Sequence, residues 1–87
     1  MANTVTDDMI ANALEHHQAG RFAEAEMLYK SILNAEPYHI DVLYLMGLLD
    51  YEAGRYDRAI ANTEVVIGLE PTRVEAYKNL GNSYKGA

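Results

Sequence analysis

The 87-residue chain contains no cysteine. Neither a disulfide nor a thiolate metal site can brace it, and a cysteine nucleophile is excluded. Basic residues are also few, seven Lys and Arg against thirteen Asp and Glu, for a net charge of −6. Phosphate binding needs lysine and arginine in clusters, and these seven are scattered, so no nucleic-acid partner is expected. The opening MANTVTDDMI lacks the basic start and the apolar core of a signal peptide. Val42–Leu49, the longest apolar run, falls well short of the roughly 18 residues that mark a membrane helix, so no membrane partner is expected either. These absences give the expectation of a soluble, cytoplasmic protein.

Catalytic and metal-binding arrangements are missing as well. Ser31 and Ser83 lack a glycine-rich elbow, and the six glycines form no phosphate loop. Glu15-His16-His17 invites a metal reading, but adjacent helical residues diverge by about 100°, so the two imidazoles diverge too. His39 falls in a different turn. His16 is expected to be partly buried and His17 solvated. Asp7 and Asp8 stand at a helix start, where they oppose the macrodipole. The groups Arg55/Asp57/Arg58 and Glu24/Glu26 read as solvated faces. No catalytic residue, cofactor or metal ligand is assigned, and the chain is not expected to be an enzyme.

What is present is a repeat. With 49% hydrophobic and 23% charged residues the chain suits one globular domain, though one this small buries only about 60–65% of its unfolded surface. Sliding the sequence by 34 residues sets Thr6–His39 over Ile40–Arg73 without a gap. The identities are Asp7/Asp41, Leu14/Leu48, Ala19/Ala53, Gly20/Gly54, Arg21/Arg55, Ala25/Ala59, Glu36/Glu70 and Pro37/Pro71. A third copy opens at Val74, with Gly81 under Gly47 and Ala87 under Ala53. Apolar residues recur at helical spacing in both halves of each copy, as in Phe22, Ala25, Leu28, Tyr29 and Ile32. Gly20 and Gly54 suit the left-handed end of a helix, and Pro37 and Pro71 stop the second helices. Thr72-Arg73-Val74-Glu75 reads as a capping box. Five helices are predicted, over 6–19, 22–35, 40–53, 56–69 and 73–85.

With its small residues at Ala13, Gly47, Gly81, Ala25 and Ala59, bulky Tyr29, and Pro37 and Pro71 at the unit ends, the chain resembles the tetratricopeptide repeat. The resemblance covers residues 6–87. It departs from the family pattern at Thr63, where a large aromatic is usual and looser packing is therefore expected. It also departs at His16 and Asp50, where tyrosine is common, and a buried Asp50 would need a hydrogen-bond partner. The resemblance implies an all-α fold, a right-handed α-α superhelix of helix-turn-helix units. The division is a tail over 1–5, units over 6–39 and 40–73, and over 74–87 a first helix of a third unit or a cap.

In that family the first helices line a concave groove that holds a peptide or helix of a partner protein. The corresponding positions here are Ile10, Ala11 and Leu14; Tyr44, Leu45, Leu48 and Tyr51; and Lys78, Asn79 and Asn82, with Asp7, His17, Asp41, Glu75 and Lys85 alongside. The basic clamp that grips chaperone C-termini is not matched, since its places hold Ile10, Leu14, Leu45, Glu75 and Asn79. The repeats ahead of O-linked N-acetylglucosamine transferases carry an asparagine ladder; Asn79 matches one rung, and Ala11 and Leu45 occupy the others. Leu45, Leu48 and Tyr44 read either as core or as an open binding stripe. The leading expectation is an interaction scaffold with a protein partner. The alternatives are a non-catalytic arm of a larger enzyme, such as a glycosyltransferase, and a self-assembling structural protein. Val74, Tyr77, Leu80, Gly81 and Tyr84 form an apolar face lacking its usual second helix. A fragment of a longer repeat protein, able to form a homodimer through that face, is therefore expected.

Overall fold

The computed structural model describes residues 4–87. Five helices follow in order: α1 (Thr4–Gln18), α2 (Phe22–Ala35), α3 (Ile40–Glu52), α4 (Tyr56–Leu69) and α5 (Val74–Gly86). No strand occurs among the described residues. Each helix packs on the next, and α3 also packs on α5, while α1 and α3 approach less closely. The body measures 36 × 27 × 19 Å. A shortest dimension of 19 Å is about two helix diameters, the thickness of two layers. The helices match the predicted ones to within one or two residues. Of the tail expected over 1–5, residues 1–3 lie outside the described residues and α1 begins at Thr4.

The repeated tripeptide Ala-Gly-Arg ends one helix and begins the next. Gly20 (φ 79°) and Gly54 (φ 78°) are the residues with positive φ among those described. After α1, the Arg21 amide donates to the His16 carbonyl (2.8 Å) and the Gly20 amide to that of His17 (3.1 Å). After α3, the amides of Arg55 and Gly54 repeat the pattern to Asp50 (2.7 Å) and Tyr51 (3.0 Å). Both are Schellman closures, which need a residue that enters the left-handed region without a Cβ penalty. The arginine carbonyls then accept from Ala25 (3.1 Å) and Ala59 (3.0 Å), opening α2 and α4.

The start of α5 corrects one expectation. Its N-cap is Arg73, with no side-chain cap, so Thr72 does not form the predicted box. The Arg73 guanidinium instead reaches back to Asp41 (2.6 Å) and Glu70 (3.2 Å), fastening the α4–α5 turn to the start of α3. At the equivalent place before α3, the His39 ring accepts from the Val42 amide (3.3 Å).

Small residues set the helix spacing. Ala13, Ala25 and Ala59 are fully buried. A larger core cluster joins Ala13, Ala25, Tyr29, Ile32, Val42, Met46 and Leu49, and a smaller one joins Leu43, Val66 and Ala76. The α3–α4 crossing is tighter than the sequence implies. Thr63 is 2% exposed. Its Oγ1 would lie 2.8 Å from a Cβ placed on Gly47, closer than side chains pack. The expected looseness at Thr63 is absent because glycine faces it, and the two helices close over the smaller pair.

Gly81 occupies the same register on α5 but has nothing within 4 Å of a built Cβ. Gly47→Ala should therefore lose up to about 2 kcal/mol. Overpacking costs about 1–3 kcal/mol and helix propensity returns only about 1. Gly81→Ala should gain about 0.5–1 kcal/mol. Urea denaturation of both variants checks this, and shifts of the same sign would contradict the assigned crossing.

Candidate functional site

The residues expected to line the groove fall into several different environments. Ile10 and Leu45 are half-buried and pack against the larger core cluster. Leu14 and Leu48, identical residues one repeat apart, belong to neither core cluster and line a cleft of about 340 Å³. Tyr44 is half-buried, with the Arg73 guanidinium 5.3 Å from its ring centroid. Tyr51 is half-buried and its ring meets that of Tyr56 at 5.9 Å. Ala11 and Lys78 are exposed and Asn82 half-buried. Asn79 is buried on the inner face of α5 with Ala76 and Ser83. Neither its Nδ2 nor the Ser83 Oγ has a hydrogen-bond partner among the described residues. The apolar stripe thus divides, Leu45 and Tyr44 packing against the core clusters and Leu14 with Leu48 remaining on an open cleft.

His17 corrects the sequence reading. It is 7% exposed, whereas solvation was expected. Its Nδ1 lies 3.0 Å from the Tyr29 hydroxyl, and its Nε2 is paired with Glu52. The ring also stands edge-on to Phe22 (5.9 Å) and Tyr29 (6.0 Å). Both ring nitrogens are therefore engaged, Nδ1 by a hydroxyl and Nε2 by a carboxylate. One side chain from α1 thereby reaches both α2 and α3. His16 turns away and accepts from Arg21 Nε at 2.8 Å. Among the described residues, no group of three His, Cys, Asp or Glu is placed to hold a metal ion.

Asp50, fully buried, has the partners its burial demands. Arg55 Nε donates to its Oδ1 (3.0 Å) and Asn62 Nδ2 to its Oδ2 (2.9 Å). Arg55 and Arg58 continue to Glu26 on α2, at 2.6 and 3.2 Å, and Lys30 joins it at 2.8 Å. Hydrogen bonding by Lys30, then Arg58 and the charge of Arg55, hold the Glu26 carboxyl below its ordinary range against the opposing effect of burial. The expectation of solvated faces is therefore overturned for the half-buried Arg55 and Glu26, while Arg58, Glu24 and Asp57 are exposed. The network joins α2 to the α3–α4 pair. One signal was available in the sequence. Arg21 bonds back to His16 as Arg55 does to Asp50, so the repeated arginine follows a polar acceptor at the same spacing both times.

Comparison with known proteins agrees with this architecture. The family model described as Tetratricopeptide repeat matches residues 16–83. The chain is 31% identical over 81 residues to the probable UDP-N-acetylglucosamine–peptide N-acetylglucosaminyltransferase SEC of Arabidopsis thaliana, covering 91% of this chain and 8% of that protein. It is 26% identical over 68 residues to the UDP-N-acetylglucosamine–peptide N-acetylglucosaminyltransferase of Caenorhabditis elegans, covering 78% of this chain and 6% of that protein. The chain thus spans less than a tenth of the length of either relative. No helix among the described residues is long and apolar enough to cross a membrane.

Burial, reinforced by the charge of Glu52, pushes the Tyr29 hydroxyl up to about 12 from an ordinary value near 10. A pKa raised on folding stabilises the fold below the unfolded value, and that stability is lost as pH rises through the folded one. Tyr29 should ionise late in an ultraviolet titration, and stability should fall between pH 10 and 12. Tyr29→Phe should remove the late ionisation; a late step that survives it would contradict the assignment.

Proposed function

Because the chain belongs to the tetratricopeptide repeat family, we propose that it is a protein-interaction scaffold, holding a peptide or helix of a partner on the face of α1, α3 and α5. Its units are those of the sequence repeat, 6–39 and 40–73, with 74–87 supplying the first helix of a third. The observation that carries this reading is the open cleft at Leu14 and Leu48, where equivalent residues of two repeats stay out of the core. Tyr44, Tyr51, Lys78 and Asn82 extend the same surface, half-buried or exposed.

A second reading is favoured by the relatives. Both are named as peptide N-acetylglucosaminyltransferases, and this chain corresponds to less than a tenth of each. In that case the repeats are a non-catalytic arm that presents protein substrates to a distant active site. A self-associating role rests on α5, whose Val74 (75%), Tyr77 (48%) and Tyr84 (56%) are exposed around the uncovered Gly81.

The test combines Leu14→Ala, Tyr44→Ala and Leu48→Ala in one variant. Affinity capture from cell extract should lose the bound partners while circular dichroism keeps the helix content. Unchanged partners and unchanged self-association would remove the groove from the function. In sedimentation runs the unsubstituted chain should self-associate toward millimolar concentration; a strict monomer would eliminate the α5-mediated dimer.

A further inference from the structure

The cleft lies between the C-terminal ends of α1 and α3. Resting on the groove reading above, we infer that it binds a lysine or arginine side chain from a basic partner segment. The aliphatic stem lies on Leu14, Phe22 and Leu48, and the charged head donates hydrogen bonds to Glu52. Glu52 is the last residue of α3, its side chain is 41% exposed, and one carboxylate oxygen is taken by His17. Among the described residues no lysine or arginine pairs with it.

The surroundings favour a cation. Two helices end at this cleft, and the negative end of each helix dipole adds to the charge of Glu52. The arginines that follow the two helices are engaged elsewhere, Arg21 on His16 and Arg55 on Asp50 and Glu26. The walls suit the methylene stem of a long cationic side chain, which buries its carbons and keeps its charge at the rim. A purely apolar anchor would strip water from Glu52 and return no counter-charge. The net charge of −6 draws a basic segment in and repels an acidic one.

The probes are an acetylated, amidated twelve-residue peptide of alternating leucine and lysine pairs, and the same peptide with glutamine at every lysine. Each is titrated into the ¹⁵N-labelled full chain and followed by amide shifts. The lysine peptide should shift Gln18, Gly20, Phe22 and Glu52 and bind more tightly than the glutamine peptide. Glu52→Gln keeps an acceptor for His17 and should weaken the lysine peptide roughly three- to fivefold, as for a partly exposed ion pair. It should leave the glutamine peptide unaffected. Glu15→Gln, which removes the same charge from an exposed site elsewhere on α1, should leave both peptides unaffected. Leu48→Lys places a resident cation four residues before Glu52 and should displace the lysine peptide with the helices intact. Equal binding of the two peptides in the groove, or equal losses from Glu52→Gln and Glu15→Gln, would overturn the cationic subsite and leave the groove standing. If neither peptide shifts α1 or α3, the groove reading falls with it.

Discussion

The bulk of the side chains at the crossing fixes how closely two antiparallel helices can lie. At the α3–α4 crossing the contact is between Gly47 and Thr63, with the buried Ala59 beside it. Every other part of the stack inherits that spacing. A close α3–α4 pair lets the fully buried Val42, Leu49 and Val66 fill the remaining interior without a void large enough to need an aromatic at Thr63. It also brings Asn62 within 2.9 Å of Asp50, so the buried carboxylate is satisfied by the helix it packs on. The α1–α2 pair solves the same problem differently, with Ala13 for Gly47 and Tyr29 for Thr63. Its extra bulk comes with a hydroxyl that His17 must meet.

Polar side chains supply the joints between pairs. The network from Asp50 through Arg55 to Glu26 fastens α2 to the second pair, and His17 with Glu52 fastens α1 to α3. Buried charge of this kind adds little net stability compared with apolar packing, yet breaking one partner is costly, so it favours a single register of stacking. The α1–α3 joint combines shared core packing around Ala13, Met46 and Leu49 with the His17–Glu52 pair at its open end. That leaves between the two helices the cleft on which the functional reading rests.

Much of the fold was legible in the sequence because its signals are local or strictly periodic. The 34-residue shift, the apolar spacing, the glycines of the two Ala-Gly-Arg turns and the two prolines place five helices nearly where they lie. Less was legible of the polar interior. His17 was assigned to solvent from its face of α1, but a histidine at the end of a helix can swing between the two helices that follow. Only the spatial return of Tyr29 and Glu52 reveals it. Thr63 was read against a family preference, and the compensating glycine sits sixteen residues earlier, on a different helix. Leu14, Leu45 and Leu48 share a face in sequence, and only packing separates the one that joins the core from the two that border the cleft.

The most direct test of the account is a set of nuclear Overhauser contacts in solution between the Gly47 α protons and the side-chain protons of Thr63 and Asn62. The described geometry predicts strong cross-peaks there, accompanied by contacts from the His17 ring protons to the Tyr29 ring. Absence of the Gly47–Thr63 contact, or pairing of α3 with α4 about some other residue, would contradict the stacking and with it the surface assigned to a partner.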